Sequence, residues 1–199
     1  MTRVYFVRHA QPEHGWADDR TRPLTKEGWG DTLAVAEALS NEPIDAFYSS
    51  PYRRSMDTIR QAALDHHLPF PTEERFRERE AGDGGNEFGM FEKRWADFDF
   101  HEPGGESLNM VQQRNLEALM ELLVTNKDKN IVIGTHGTAL STILNFFDPL
   151  FGCRDFLRII DWMPYIIRLD FDGFRVARKK ELLMTLKTFL GSKRADVPD

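Results

Sequence analysis

Short apolar segments alternate along this chain with longer stretches of helical periodicity, and this alternation is the feature that most limits the possible folds. The strand candidates cover residues 4–7, 44–48, 131–133, 165–171 and 174–177, with a further extended piece at about 68–76, and they are too short for typical helices. Strands that alternate with helices predict an α/β protein, here a three-layer α/β/α sandwich on a mainly parallel sheet. The dipeptide Asp172-Gly173 is typical of a hairpin turn, so an antiparallel edge is also expected.

Helix boundaries follow from capping residues. Thr25 is a good N-cap for a helix that ends at Asn41-Glu42-Pro43. Ser50 followed by Pro51 predicts a second helix start, which would place Arg53 in the first helical turn. Apolar residues also recur at helical spacing over residues 106–123.

The length of 199 residues suits one domain, which we assign to residues 1–190. The glycine-rich segment at about 82–105 is expected to form a small inserted cap, and residues 191–199 a polar tail. The lone Cys153 excludes a disulfide framework and favours a reducing compartment. The N-terminal residues do not resemble a signal peptide, and no apolar run is long enough for a membrane span, so a cytoplasmic location is expected.

The chain carries 26 basic and 32 acidic side chains, a formal net charge of −6. Such a balance repels polyanions, so nucleic acid is not an expected partner, and the lack of a long apolar run makes a membrane an unexpected partner as well. It does not exclude a small anionic substrate that is bound by a few converging arginines. The oligomeric state is left open by the sequence.

Basic side chains stand where the predicted strands end. Arg8 and His9 follow the first strand, Arg53 lies just after the second, and His136 follows the strand at 131–133. Ligands of open α/β sheets bind at the carboxyl ends of the strands, near helix N-termini that favour anions. We therefore expect these four side chains to converge on one anion.

This set of side chains suits the chemistry of a phosphoryl group. Arginines offer paired donors to phosphate oxygens, and a neutral imidazole can attack phosphorus to form a covalent intermediate. The leaving oxygen also needs a proton donor, most simply a carboxylic acid. Glu78 and Glu80 are the candidates, since both follow the extended segment at 68–76.

The motifs resemble those of the histidine phosphatase (phosphoglycerate-mutase-like) superfamily, in its phosphatase branch. The similarity includes Arg8-His9-Ala10, residues 24–28, residues 48–58, Phe76-Arg77-Glu78 up to Gly82, residues 104–107 and Thr135-His136-Gly137. Six landmarks in the family's order are a specific signal.

The resemblance implies a role for each site residue. His9 would be the nucleophile, Arg8, Arg53 and His136 would bind the phosphoryl oxygens, and Glu78 would serve as acid and then base. Gln11 and Arg79 are possible substrate contacts. The resemblance implies a metal-independent phosphomonoesterase for a small phosphorylated metabolite, with no cofactor.

Two positions depart from the family's pattern. Ala10 stands where the family usually has glycine, and Gly15 stands where it often has an asparagine near the phosphate. A methyl group at Ala10 either crowds the pocket or is accommodated. Gln11 or His14 could replace the contact that Gly15 does not make.

Some alternatives remain open. A phosphoglycerate mutase, a protein phosphohistidine phosphatase, a metal-dependent hydrolase and a regulatory member without turnover compete with the phosphomonoesterase. The helical spacing of Phe88, Phe91, Trp95 and Phe98 favours a satellite core under the cap, while the alternative is a pocket mouth that selects apolar leaving groups. Asp65-His66-His67 is interpreted as a surface helix end rather than a metal site.

Overall fold

A computed structural model describes residues 1–84, 87 and 89–187 of the protein. In this part of the chain, five strands and six α-helices form an α/β fold. Their order along the chain is β1 (Thr2–Arg8), α1 (Lys26–Leu39), β2 (Ala46–Ser49), α2 (Arg53–Asp65), α3 (Met90–Ala96), α4 (Leu108–Thr125), β3 (Asn130–Thr135), α5 (Gly137–Phe147), α6 (Cys153–Ile160), β4 (Trp162–Asp172) and β5 (Arg175–Leu186).

The five strands form one mixed sheet in the order β2-β3-β1-β4-β5. Strands β1, β2 and β3 are parallel to each other, with Arg8 opposite Thr135 at the carboxyl ends of β1 and β3. Strand β4 runs antiparallel to β1, and β5 completes the hairpin at the edge. The predicted fold class and its antiparallel edge are confirmed, although the hairpin makes up two of the five strands.

Alternate residues of β1 point into two separate apolar cores. Val4 and Phe6 pack in one core with residues of α4, α5 and α6, such as Leu119. Tyr5 and Val7 pack in the other with residues of α1 and α2. Because successive side chains of a strand point to opposite faces, this division places helices on both faces of the sheet. The three-layer arrangement follows from it.

The predicted extended piece at 68–76 is not a strand. Thr72 makes one isolated parallel bridge to Ser49, and Glu74–Phe76 forms a turn of 3-10 helix. Pro69 and Pro71 supply no backbone N–H to a ladder, which explains why pairing with β2 stops at that bridge.

One predicted helix start is confirmed and another is wrong. The side chain of Thr25 accepts a hydrogen bond from the backbone N–H of Gly28, as an N-cap should. Helix α2 instead has Tyr52 as its N-cap residue and begins at Arg53, two residues later than predicted. The hydroxyl of Ser50 is used in a contact with His136 instead.

Helix α3 lies in the segment predicted as a cap, and helix α6 has no counterpart in the sequence-based prediction. Of the predicted cap, residues 85, 86 and 88 lie outside the described residues, as does the predicted tail at 191–199. Within the described part of the chain, no helix combines the length and apolar character that a membrane span requires.

Candidate active site

A cavity of about 310 Å³ opens where β1 and β3 end and α5 begins. Its wall includes five arginine side chains and two histidines, which are Arg8, Arg22, Arg54, Arg79, Arg94, His9 and His14. Three carboxylate residues, Asp19, Glu78 and Glu80, also line it. This concentration of guanidinium groups in a chain with a net charge of −6 marks the cavity as an anion site.

His9 leaves β1 directly into this cavity and is only 5% exposed. Its Nδ1 lies 2.8 Å from the backbone oxygen of Ala10. A carbonyl oxygen only accepts hydrogen bonds, so Nδ1 carries the proton and Nε2 keeps its lone pair. Burial and the charges of Arg54 and Arg8 hold the pKa of His9 well below its usual value. The imidazole is therefore neutral, with Nε2 available as a nucleophile.

His136 lies beside His9, with 5.3 Å between the centres of the two rings. It is fully buried, and Tyr52 packs edge-on against it at 5.1 Å. Burial and the charge of Arg54 hold its pKa well below the usual value. Its Nε2 lies 2.7 Å from the hydroxyl oxygen of Ser50, and its Nδ1 has no hydrogen-bond partner among the described residues.

Arg8 is buried between the end of β1 and helix α5. One terminal nitrogen donates to the backbone oxygens of Ile159 and Trp162, the second of them at 2.8 Å. Burial lowers the pKa of the guanidinium to about 10, so it stays charged near neutral pH. A Cβ atom at Gly137 would lie 3.3 Å from Nε of Arg8, so the glycine allows the close approach of this side chain.

The prediction for Arg53 is wrong by one residue. The Arg53 side chain is 51% exposed and lies 3.4 Å from the carboxylate of Asp57, away from the cavity. Arg54, at 3% side-chain exposure, lines the cavity instead. Successive residues of an α-helix point about 100° apart, so only one of the two adjacent arginines can face the sheet edge. The helix start at Arg53 decides that it is Arg54.

Glu78 is held at the N-terminus of α5. One carboxylate oxygen accepts from the backbone N–H groups of Arg79 and Ala139, and the other accepts from that of Thr138 at 3.1 Å. These contacts place a carboxyl group in the cavity wall with both oxygens oriented. Glu80, the alternative acid, has a 54% exposed side chain that lies 3.5 Å from Arg77.

A network of two arginines and one carboxylate supports the segment that carries Glu78. Arg114 donates to the backbone oxygens of Arg75, Arg77 and Glu78, and it pairs with Glu106 at 2.9 Å. Burial of Glu106 opposes its ionisation, but hydrogen bonds from Arg114 and Arg77 lower its pKa to about 2. The salt bridges therefore persist over the whole neutral range and fix the backbone at Glu78.

The two predicted substrate contacts have other uses in the structure. The side-chain oxygen of Gln11 accepts a hydrogen bond from Thr25 at the start of α1, and Gln11 is not among the cavity-lining residues of the described chain. Arg79 does line the cavity, but one of its terminal nitrogens donates to Glu102 and to the backbone oxygens of Glu80 and Glu106. Its bonds stabilise the cavity wall.

The two departures from the family pattern have different outcomes. Ala10 is fully buried, and its N–H donates to Thr58 outside the cavity wall, so the methyl group is accommodated. No atom lies within 4 Å of a Cβ built at Gly15, so this position makes no close contact to the site. His14 does line the cavity, as one of the two candidate replacements.

The aromatic residues near the cap divide into two groups. Phe91 lines the cavity together with Phe156, with 5.2 Å between their ring centres. Trp95 packs against Phe98, Phe151 and Phe156, at the border of the main core that contains Leu119. The separate satellite core that the spacing predicted is therefore not formed by Trp95. Phe88 lies outside the described residues.

The structure also bears on the possible metal ligands. The Nε2 of His66 lies 3.1 Å from the backbone oxygen of Leu39, at the end of α2. Over the described ranges 1–84, 87 and 89–187, no group of three or more histidine, cysteine or acidic side chains could hold a metal ion.

Sequence reasoning missed Arg54, Arg22 and Asp19, which all line the cavity. Arg54 could have been found from the helix boundary, because a start at residue 53 changes which arginine faces inward. Arg22 and Asp19 lie in the irregular segment between β1 and α1, where no periodicity indicates which way a side chain points.

An α/β fold that carries an imidazole, an acid and several arginines at one sheet edge defines a class of phosphate-handling proteins. Residues 4–150 match the family model described as histidine phosphatase superfamily (branch 1). The chain belongs to this superfamily.

Similar proteins include both mutases and phosphatases. The chain is 27% identical to the 2,3-bisphosphoglycerate-dependent phosphoglycerate mutase of Parvibaculum lavamentivorans, over 90% of this chain and 96% of the mutase. A mycobacterial glucosyl-3-phosphoglycerate phosphatase in complex with inorganic phosphate superposes with a TM-score of 0.71, at 19% identity, covering 93% and 97% of the two chains.

A phosphoserine phosphatase from Entamoeba histolytica in complex with 3-phosphoglyceric acid superposes similarly. Its TM-score is 0.71 at 21% identity, and the match covers 96% of this chain and 99% of that one. At such identities the solved structures establish the shared fold.

Proposed function

We propose that this protein is a phosphomonoester hydrolase that works through a phosphohistidine intermediate on His9. The observation that carries this proposal is the state of His9, whose imidazole is neutral and whose Nδ1 is bonded to a backbone oxygen. The Nε2 lone pair belongs to a side chain that lines the cavity with Arg8 and Arg54. This combination suits in-line attack on a bound phosphoryl group.

In the first step, Nε2 of His9 attacks phosphorus while the bond to the ester oxygen breaks. The leaving oxygen takes a proton from the Glu78 carboxylic acid and departs as an alcohol. Arg8, Arg54 and His136 bind the three oxygens of the transferring group, where fixed donors stabilise the charge of the transition state.

In the second step, the Glu78 carboxylate takes a proton from water, and the hydroxide attacks phosphorus. The bond between phosphorus and Nε2 breaks, which releases inorganic phosphate and restores neutral His9. No metal ion is required in this scheme, because arginines neutralise the charge that a metal would otherwise neutralise.

The substrate that we propose is a small phosphorylated metabolite. A cavity of about 310 Å³ is close to the lower end of the range for small-molecule sites. The similar proteins named above handle phosphorylated carboxylic acids, as their names state, which supports a compound of that size. Phe91 and Phe156 supply apolar wall beyond the phosphate end.

A phosphoglycerate mutase is the second candidate, and the similarity to the Parvibaculum mutase over 96% of its length favours it. A mutase must keep the phosphoryl group on the histidine until the intermediate rebinds, whereas a hydrolase passes it to water. The two activities differ in their products, so one pair of assays separates them.

The experiment measures release of inorganic phosphate from a panel of phosphorylated metabolites, beside a coupled mutase assay with phosphoglycerates. We expect phosphate release to dominate and to persist in excess EDTA. His9→Ala should abolish turnover, and Glu78→Gln should slow it by about 10²–10⁴-fold. His101→Ala is a matched control, because this histidine is exposed and lies outside the cavity wall of the described chain.

Other results would select other members of the family. Mutase activity without net phosphate release identifies the second candidate. Release only from a phosphohistidine protein indicates a protein phosphatase, and phosphate binding without any turnover indicates a regulatory module. Wild-type rates for purified His9→Ala would contradict the proposed mechanism.

A further inference from the structure

Two residues of the segment between β1 and α1 reach the same cavity as His9. Asp19 and Arg22 both line the cavity wall, although in the sequence they lie more than ten residues after the end of β1. Neither Asp19 nor Arg22 belongs to the motifs that carry the family resemblance. Their contacts indicate a function in the phosphate site.

Asp19 joins two arginines through its oxygen atoms. Its Oδ1 lies 3.0 Å from a terminal nitrogen of Arg22 and 3.2 Å from one of Arg54, so this oxygen is shared. Its Oδ2 accepts a hydrogen bond from Arg54 alone of the two, at 3.3 Å. The backbone oxygen of Asp19 also accepts from Arg54, at 2.6 Å. One carboxylate therefore fixes the relative position of two guanidinium groups, because a planar fork of donors has few ways to satisfy such contacts.

The inner nitrogens of the arginines are not used in these contacts. The Nε atoms of Arg8, Arg22 and Arg54 are buried, and none has a hydrogen-bond partner within the part of the chain that the structure describes. Leaving a buried N–H without an acceptor is unfavourable, and more so on a charged group. All three side chains line the cavity, so an oxyanion bound there would meet their guanidinium groups.

The electrostatics agree with this geometry. The charge of Arg22 contributes to the lowered pKa values of His9 and Arg54, after the larger effect of burial. Arg22 and the nucleophile also line the same cavity. Asp19 neutralises one of the three guanidinium charges of Arg8, Arg22 and Arg54, which leaves net positive charge for a phosphate dianion.

We propose that the guanidinium group of Arg22 binds a phosphoryl oxygen and that Asp19 is a positioning residue that holds Arg22 and Arg54 for this contact. The assignment rests on the proposed function. Arg22 then supplies a contact that Gly15 cannot make, since a glycine has no side chain to offer.

The test measures the Kd of inorganic phosphate by calorimetry, together with kcat and KM for an aryl phosphate. Arg22→Met should weaken phosphate binding by about ten- to a hundredfold, the usual value of a hydrogen bond to a charged group. Arg22→Lys should recover only part of this loss, because an ammonium group cannot contact Asp19 and phosphate as a fork.

Asp19→Asn is the test for the positioning role. It should raise the Kd of phosphate, and the added cost of Arg22→Met should be smaller in this background than in the wild type. Arg20→Met and Asp18→Asn are matched controls, because both residues lie in the same segment without lining the cavity, and they should leave the Kd unchanged.

The outcomes separate this inference from the proposed function. Phosphate affinity unchanged in a folded Arg22→Met protein, as judged by circular dichroism, overturns it. If Arg22→Met does not fold, wild-type affinity in Arg22→Lys overturns it as well. The wild-type protein could hydrolyse no phosphomonoester while Arg22→Met still weakens phosphate binding. That result would support the binding role of Arg22 and reject the proposed hydrolase activity.

Discussion

The hydroxyl oxygen of Ser50 lies 2.7 Å from Nε2 of His136, and both side chains are fully buried. Ser50 already accepts a hydrogen bond from the backbone N–H of Tyr52. We assign the proton between the two side chains to Ser50, which leaves the lone pair on Nε2 and the proton on Nδ1. This tautomer makes His136 a neutral donor beside His9.

Loss of the Ser50 hydroxyl should therefore weaken the donor function of His136. We expect Ser50→Ala to lower kcat for an aryl phosphate by about tenfold, the value of one hydrogen bond, while Ser50→Thr retains most of the activity. Nitrogen-15 NMR of the imidazole should detect a second tautomer in Ser50→Ala. Ser49→Ala is the control, since that buried hydroxyl contacts Ser55 instead. Equal losses in both alanine variants would point to packing alone.

The adjacent arginines of α2 should differ sharply in function. Arg54→Met removes a buried guanidinium from the cavity and should reduce kcat/KM by about 10²–10³-fold. Arg53→Met removes a half-exposed side chain that contacts Asp57, so its rate should stay within about twofold of the wild type. Steady-state kinetics on both variants decides the matter. A larger loss at Arg53 would restore the sequence-based assignment and reject the geometry.

The buried histidines should make the protein less stable as the pH falls. The pKa values of His9 and His136 lie well below 6.5 in the folded state because of burial first and neighbouring charges second. Below pH 6.5 the unfolded chain binds protons at both positions and the folded chain does not, so unfolding is favoured. Each histidine should contribute up to about 1.4 kcal/mol per pH unit.

Urea unfolding in phosphate-free buffer between pH 7 and pH 5 measures this slope. His136→Gln should reduce the slope by the amount that one bound proton contributes, about 1.4 kcal/mol per pH unit. His101→Gln changes an exposed residue and should leave the slope unchanged. An identical slope in His136→Gln and the wild type would mean that His136 is protonated in the folded state.

The two aromatic groups near the cap should affect substrate choice differently. Phe91 lines the cavity, so Phe91→Ala should lower kcat/KM for a bulky aryl phosphate more than for a small ester, by about five- to tenfold. Trp95 packs against the main core and is not among the cavity-lining residues of the described chain, so Trp95→Ala should lower the melting temperature and affect both esters alike. Kinetics on both esters and thermal unfolding test this pair. Equal effects of Phe91→Ala on both esters would exclude a selecting role.

The strand ends were predictable because a short apolar run that stops at a polar residue marks both the strand and its boundary. For that reason Arg8 and His9 lie at the end of β1 and His136 directly after β3, as the strand pattern predicted, although His136 is not among the cavity-lining residues of the described chain. The irregular segments were not predictable in the same way. Gln11 has no periodic neighbours to indicate its direction, and its amide oxygen contacts Thr25. The extended pattern at 68–76 also resembles a strand, but the prolines at 69 and 71 lack the backbone N–H groups that strand pairing requires.

The amino-acid sequence by itself determined the α/β class, the order of most of its elements and the presence of an imidazole, a carboxylic acid and arginines after the predicted extended segments. These properties depend on local periodicity and on motif order, which the chain carries without folding. Only the tertiary structure decided that Arg54 rather than Arg53 faces the cavity, and that Asp19 joins Arg54 to Arg22. The direction of a side chain depends on where its helix begins and on what packs around it, and both are set by contacts between residues far apart in sequence.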